Sequence, residues 1–386
     1  NTGIFFYTKE NPIFLLIYAQ NFLLLKIFIY QQHKTLNNMM KKQYSHLVLF
    51  LSLCTLTACN DSKNEDSIDP DPLPPSITYH VEGYAELGAF DHNSTLTVFP
   101  LDKSLAHIEE QAYGGKVETD YGLFSASGNM KFQESLYFEV QVTGNFFNGT
   151  KGRRSEHKTT LRAINHVINH ADEERSINRY IKLPATNVNI FTQLTAARIC
   201  TLLKKAAGYN EMSHTITDIY RNASEQALKE VLTAFSISDI YVSMLSIDPT
   251  RASFSQYNAP ASMMAAVSNI LLTSVDEELL DTFFTEWDKD FAPDGRIDNE
   301  DIKESIRDGQ QSLKYTNVYK QLDSFYKAYD FKSDFPEFWK FVDRNGDGIL
   351  DKQDKPDDFE ITEEELTPSQ QQCIQLLEQV NKYLRD

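Results

Sequence analysis

Tyr137-Phe138-Glu139-Val140-Gln141-Val142-Thr143 alternates apolar and polar side chains, whereas Asn187-Val188-Asn189-Ile190-Phe191-Thr192-Gln193-Leu194 leads into a helical run from Ala196 to Ala207. Successive residues of a strand point to opposite faces, while those of a helix rotate steadily around its axis. The first stretch therefore reads as a half-buried strand and the second as the entry to a helix. The change of period between them sets an α+β class, with an N-terminal β-sandwich over residues 77–165 followed by an α-helical domain over residues 180–386. On the N-terminal side, Tyr79 with Val81, Leu96 with Val98 and Pro100, and Thr159 with Leu161 keep period two in short runs broken by turn residues. That spacing suits a small sandwich. On the C-terminal side, helices are expected at 213–235, 261–273, 276–289, 299–325 and 368–384. Gly208 stands where a C-cap ends the first run, and Thr367-Pro368 supplies an N-cap and N1 for the last.

Thr119-Asp120-Tyr121-Gly122-Leu123-Phe124 is a tight-turn sequence. Asp120 is suited to capping it, Gly122 to a positive φ, and Phe124 to returning the strand to the core. The hexapeptide resembles the T-D-x-G-x-F hairpin of carboxypeptidase regulatory-like, transthyretin-type domains. The aromatic strand that follows and Gly144-Asn145-Phe146-Phe147-Asn148 add to that resemblance, which covers about 85 residues and implies a fold without catalysis. The segment from Asn187 is similar to one that recurs after such domains in bacterial lipoproteins.

A second resemblance lies near the N-terminus. Met39-Met40-Lys41-Lys42 opens a charged region, Leu47 to Leu56 is apolar, and Leu56-Thr57-Ala58-Cys59 closes it with small residues before a cysteine. These are the three parts of a secretory signal, and the closing tetrapeptide resembles a bacterial lipobox. An apolar run of about ten residues is too short for a bilayer core that needs roughly 20. Residues 39–58 are thus expected to be a lipoprotein signal peptide, with Cys59 carrying the acyl (palmitate-type) chains that hold the chain to the membrane. Asn60 after the cysteine resembles outer-membrane sorting in enterobacteria, so a cell-envelope lipoprotein of the outer membrane is expected, its face left open. The chain opens on Asn1 and its first methionines are Met39 and Met40, so residues 1–38 are expected to be upstream sequence read in frame. Their apolar run, Ile13 to Tyr30, carries Gln20, Asn21 and Lys26 where hydrocarbon tolerates them poorly.

Residues 59–76 include Asp61, Glu65, Asp66, Asp69, Asp71 and four prolines, and such acidic, proline-rich chain stays extended as a tether. Beyond Cys59 about 330 residues remain, enough for two domains with their own cores. Residues 1–58 hold five lysines and one glutamate, so the net charge from Cys59 onward is about −22 against −18 for the whole chain. That balance argues against nucleic acid as a partner and favours cations. Cys200 and Cys373 lie in apolar helical patterns and read as buried thiols, although an oxidising compartment would let them pair.

The clearest chemistry is in Asp343-Arg344-Asn345-Gly346-Asp347-Gly348-Ile349-Leu350-Asp351-Lys352-Gln353-Asp354. Oxygen side chains fall at positions 1, 3, 5, 9 and 12 of a twelve-residue loop, with Gly348 at 6, the Ile349 carbonyl at 7 and Leu350 as the apolar plug at 8. This is EF-hand spacing, in which Ca²⁺ takes six to eight oxygens. The metal set is Asp343, Asn345, Asp347, Ile349, Asp351 and Asp354. Asp354 is one methylene shorter than the usual Glu, and Pro356 opposes a regular exiting helix. The loop therefore resembles dockerin-like extracellular sites, with expected affinity on the order of 10⁻⁴ to 10⁻³ M or somewhat tighter. Residues 290–301 form a second, degenerate frame: Asp290, Asp294, Asp298 and Asp301 at positions 1, 5, 9 and 12, Gly295 at 6, and Ala292 where position 3 needs an oxygen. Asp288 is a candidate substitute ligand.

Other patterns point elsewhere. His166 and His170 are four apart and suit one helix face, but Val167 breaks the H-E-x-x-H pattern. Ser155-Glu156-His157-Lys158 lacks the partner motifs of an S-x-x-K enzyme. There is no G-x-S-x-G, phosphate-binding loop or dinucleotide fingerprint. The expectation is a non-enzymatic, calcium-binding lipoprotein, its protein or glycan ligand unidentified. A surface adhesion or ligand-capture module and a hydrolase with its site in the helical domain stay open as alternatives.

Overall fold

Phe138, Val140 and Val142 are fully buried and share one face of a strand running Tyr137–Gly144, as their alternation requires. The structure, a computed structural model, describes residues 78–129, 137–167, 180–206, 215–330 and 334–356. The expected anchor cysteine Cys59, the expected tether, His170, Gly208, Cys373 and the helix expected at 368–384 lie outside the described residues.

The strands are β1 (Thr78–Glu86), β2 (Thr95–Leu101), β3 (Tyr113–Val117), β4 (Leu123–Asn129), β5 (Tyr137–Gly144), β6 (Phe147–Asn148), β7 (Arg153–Arg154), β8 (Thr159–His166), β9 (Tyr180–Lys182) and β10 (Val188–Asn189). They build a curled sheet in the order β10-β1-β4-β3-β2-β5-β8, with β9 also on β1, and β6-β7 form a separate ribbon. Neighbours from β1 to β8 are antiparallel, whereas β9 and β10 return late in the chain and pair parallel to β1. Gly83 of β1 permits this return: a Cβ there would meet the Thr186 carbonyl oxygen at 2.2 Å. β3 was not expected, because Gly114-Gly115 removes the apolar alternation that marks its neighbours.

The hairpin between β3 and β4 turns at Gly122, whose φ is +89°, and Phe124 is fully buried opposite Val117. The cap is not Asp120. The Thr119 hydroxyl accepts from the Leu123 amide at 3.0 Å, and Asp120 instead accepts from the His92 amide at 3.1 Å, tying the hairpin to a neighbouring turn.

Seven helices stand among the described residues: α1 (Ile190–Ala206), α2 (Ile216–Ala234), α3 (Ile240–Leu245), α4 (Ala259–Ser274), α5 (Leu280–Phe291), α6 (Glu300–Ser312) and α7 (Tyr315–Lys327). α4 is apolar around most of its circumference and is the central helix, as such a composition demands. Asn258 caps it by accepting from the Ala261 amide, and Pro260 fills its first turn. α6 crosses it where Gly309 lies against the Ile270 carbonyl, and a Cβ there would come within 2.3 Å of that oxygen. On α5, Leu280, Phe284, Trp287 and Phe291 make one buried stripe, and the Trp287 indole donates to the Leu194 carbonyl at 2.9 Å.

The single helix expected over 299–325 is two. Leu313 takes an extended conformation (φ −61°, ψ 115°), which ends α6 and lets Leu313 and Tyr315 both enter the core. His166 ends strand β8 and so stands on no helix face, while His170 lies outside the described residues. One continuous apolar core runs from Val81, Phe124 and Val140 in the sheet through Phe191, Val231, Met264 and Trp287 to Leu322 and Val342. A smaller cluster of Ile164, Ile199, Leu203 and Tyr220 joins β8 to α1 and α2. The described residues fall within one compact unit, Leu73–Asp386.

Candidate metal centre

The loop at 343–354 begins where Val342, 1% exposed, leaves the core. Asp343 is held at 2% exposure, and its two oxygens accept from the Gly346 and Gly348 amides, each at 2.9 Å. Those two glycines have φ of +74° and +77°, values that L side chains adopt only with strain. Nothing lies within 4 Å of a Cβ built on Gly348, so conformation and not crowding explains the residue there. Asn345 Oδ1 accepts from the Asp347 amide at 2.9 Å, and Asp347 Oδ1 from the Ile349 amide at 2.8 Å. The chain thus winds as successive side-chain-capped turns.

Asp354 closes the ring. It is 1% exposed, with Oδ1 accepting from the Arg344 amide at 2.8 Å and Oδ2 from the Asp351 amide at 2.9 Å. Asp351 in return caps the short turn Lys352–Asp354 through the Gln353 amide at 2.7 Å. Positions 1 and 12 are therefore both buried carboxylates on backbone donors, while Asn345, Asp347, Ile349 and Asp351 face solvent. Leu350 packs partly against the core. Among the described residues no group of three or more His, Cys, Asp or Glu is gathered tightly enough to hold a metal ion. The donor set nevertheless fits a hard dication, because Asp343, accepting from two amides, and Asp354, accepting from three, each keep a lone pair to share.

The 290–301 loop shares the turn and differs in what holds it. Asp290 Oδ2 accepts from the Asp298 and Asn299 amides at 2.8 and 3.1 Å, Asp294 Oδ1 from the Arg296 amide at 3.0 Å, and Gly295 has φ of +79°. Asp301 is in the first turn of α6, whose N-cap Asn299 accepts from the Asp301 and Ile302 amides. At the position lacking an oxygen side chain, the protein supplies its own cation. Arg198 of α1, 4% exposed, donates to the Ala292 and Pro293 carbonyls at 3.2 and 2.9 Å while pairing with Glu230 of α2 at 2.7 and 2.9 Å. Glu230 lies so close to Gly295 that a Cβ there would meet its carboxylate at 2.1 Å. Asp288 is not a substitute ligand for this loop: its Oδ2 pairs with the Arg162 guanidinium at 2.6 Å.

The two loops meet across an open cleft of about 530 Å³, to which one contributes Gly295 and Ile297 and the other Asp343, Gly346, Asp347 and Gly348. Lys303 and Arg307 of α6 complete its wall.

A charged cluster that no spacing announced lies on the sheet beside α5. Glu139 of β5 is 3% exposed and accepts from Gln141 Nε2 at 2.6 Å. His107 Nε2 lies 3.1 Å from it and Arg162 Nη1 3.7 Å, and Arg162 reaches on to Asp288. Burial opposes the Glu139 charge, but His107 and Arg162 prevail and hold its carboxyl below the usual value. The His107 imidazole is raised, chiefly by its hydrogen bond to Glu139. Burial pushes Asp288 up to about 6 despite Arg162. In sequence, Glu139 looks like a solvent-facing strand residue, since only the tertiary packing covers that face. Cys200 nearby is a free thiol, raised to about 11 by burial.

Among the described residues no helix is long and apolar enough to cross a membrane. The sequence matches no protein-family model and no curated protein. Among solved structures, a crystal structure of a 9R-lipoxygenase from Cyanothece aligns at 13% identity and a TM-score of 0.18, covering 52% of this chain and 28% of that one. The chain spans little more than a quarter of that enzyme's length, and a likeness at this TM-score carries no argument about fold or activity.

Proposed function

We propose that this is a non-enzymatic, lipid-anchored protein of the bacterial cell envelope, of the outer-membrane class, whose 343–354 loop binds calcium and so stiffens the packing around it. One observation carries the calcium reading: Asp343 and Asp354, at the first and last ligand positions, are both buried in a loop whose intervening oxygens face solvent. On a strongly acidic chain, a dication in this loop would neutralise carboxylates that the fold takes out of water. Asp343, Asn345, Asp347, Asp351 and Asp354 would hold the ion with the Ile349 carbonyl. Its contribution is charge neutralisation and cross-linking of the loop. The 290–301 loop, with Arg198 on its carbonyls, is proposed as a metal-independent counterpart, so one calcium per chain is expected. The finer architecture, a β-sandwich followed by a helical domain, belongs to the same proposal. Its support is the order of elements, with β1 to β8 preceding every helix.

Calorimetric titration of the purified chain with CaCl₂, paired with melting curves in calcium and in chelator, tests this reading. At an affinity of about 10⁻⁴ to 10⁻³ M, about 10 mM calcium should add roughly 1 to 3 kcal/mol of stability, a rise of a few degrees in Tm. Asp343→Ala with Asp347→Ala should abolish the calcium-dependent part of that rise. Absence of binding at that concentration would remove the calcium reading. The anchor is tested separately: Cys59→Ala should move the protein from the membrane fraction to the soluble fraction, and retention in the membrane would refute lipidation at this cysteine.

A further inference from the structure

A cleft of about 460 Å³ opens between α2, α3 and the turn that follows α3, remote in sequence from both acidic loops. This is within the size range of small-molecule sites. Its inner surface includes three apolar or aromatic groups that are nearly inaccessible overall: Tyr220 at 3% exposure, Val242 at 0% and Ile247 at 7%. The His166 ring stacks on Tyr220 at 4.7 Å, with its nitrogens engaged by Asn165 Oδ1 and Thr217 Oγ1, both at 3.1 Å. That end of the cleft is thus a packed, already satisfied wall.

The charges lie at the rim and come in both signs. Arg221 and Arg251 bring guanidinium groups, and Glu225 and Asp248 bring carboxylates. Their side chains are 64%, 63%, 37% and 41% exposed respectively. Arg221 pairs with Asp218 one turn earlier on α2. Arg251 Nε is 3.5 Å from Asp248 Oδ2, and Glu225 Oε1 accepts from Lys229 Nζ at 2.8 Å and Ser243 Oγ at 2.9 Å. Asp248 Oδ1 accepts from the Thr250 amide and hydroxyl at 2.9 and 2.7 Å, so Oδ2 is the oxygen shared with Arg251. Exposed pairs of this kind are weakly held and exchange readily for a better partner.

A simple anion would meet two carboxylates here and a simple cation two guanidinium groups. A molecule that carries both charges close together, with an apolar body, meets complementary groups on every side. We propose that the cleft between α2 and α3 binds a zwitterion with an apolar side chain, namely an α-amino acid of the leucine or phenylalanine type or a short peptide of such residues. Its carboxylate takes Arg221 or Arg251, its ammonium takes Asp248 or Glu225, and its side chain lies on the accessible edges of Tyr220 and Ile247, which Val242 backs from beneath. The proposal is independent of the calcium reading, since it uses none of the loop residues.

The test is calorimetric titration of the full chain with L-leucine, L-phenylalanine and the dipeptide Leu-Leu, alongside 4-methylpentanoate, which lacks the ammonium, and isoamylamine, which lacks the carboxylate. Saturable binding of a zwitterion is expected, with both single-charge analogues at least about ten-fold weaker. A tighter constant for leucine assigns the site to free amino acids, and a tighter one for Leu-Leu assigns it to peptides. Arg251→Ala and Asp248→Asn should each weaken binding by about ten-fold or more at unchanged Tm, the Asn keeping the acceptor that Thr250 uses. Arg221→Ala, on a different element, provides the second variant. No saturable zwitterion binding up to about 10 mM, equal binding of the single-charge analogues, or undiminished binding in all three variants would each overturn the proposal.

Discussion

Glu86 ends β1 at 1% exposure, accepting from Ser253 Oγ and the Phe254 amide, both at 3.2 Å. Two long hydrogen bonds do not offset the loss of water around a carboxylate, and burial pushes this carboxyl up to about 8. A folded-state value above the unfolded one means the folded protein holds a proton the unfolded chain releases. The stability tied to Glu86 is therefore complete below about pH 4.5 and is lost as pH rises through about 8. Glu86→Gln can turn its oxygen to the Phe254 amide and its NH2 to the Ser253 hydroxyl oxygen, which accepts, and it removes the ionisation. It should stabilise the protein at pH 7 by about 3 kcal/mol, an effect growing toward pH 9 and vanishing near pH 4, read as ΔG from urea unfolding at each pH. A variant less stable than the parent at pH 8 would show that the carboxyl is not buried against its preference.

Among the elements, the close crossing of α4 and α6 and the clamp of Arg198 on the 290–301 loop make the sharpest demands. Gly309→Ala would drive a methyl group into the Ile270 carbonyl, so the helices must separate, at a cost of about 2 to 3 kcal/mol in unfolding free energy. Arg198→Met removes the cation paired with Glu230, leaving it only Gln226 Nε2, and takes the donor from the Ala292 carbonyl while Lys205 still reaches that of Pro293, at about 2 to 3 kcal/mol by the same measurement. The β5 and β8 strands, α4, α5 and the 343–354 turn were legible because each follows from a local rule: alternation, an apolar run, a stripe at helical spacing, or glycine where φ is positive. β3, the break at Leu313 and the Thr119 cap were not. Each is set by tertiary neighbours: Ser125 and Ala126 beside Gly115, the core beneath Leu313, and His92 drawing Asp120 away. For the candidate site, spacing picked out the two acidic turns but could not show that the two loops share a cleft or that Asp288 belongs to Arg162.

At the scale of the whole molecule the titrating groups act in concert. Raised Asp288, His107 and Glu86 all favour the folded state at lower pH, and their contributions fall away as pH rises through about 6, above the ordinary histidine range, and through about 8 respectively. Lowered Glu139 acts in the opposite sense, and its contribution is lost as pH falls below the ordinary glutamate range. A net charge of −18 adds self-repulsion that acid relieves. In chelator, Tm should peak near about pH 5 to 6 and decline toward pH 9, as calorimetric scans across that range would read. A flat profile from pH 5 to 9 would contradict the burial of these groups. Because one core passes from the sheet through Trp287 to Val342, loss of tryptophan near-ultraviolet dichroism and of β-sheet signal should share one transition.

The late pairing of β9 and β10 with β1 also bears on the order in which a nascent chain can finish folding. Ala85 lies opposite Val188 and Thr78 opposite Tyr180, so one edge of the first strand is closed only by segments made about a hundred residues later. Until then β1 presents unpaired amides and carbonyls, a template for association with other chains. Contacts of such long sequence separation form slowly, because the intervening loop must close before they contribute. Chains interrupted before residue 188 should therefore aggregate in vivo, and the rate-limiting step of refolding should be the docking of the segment that leads into α1.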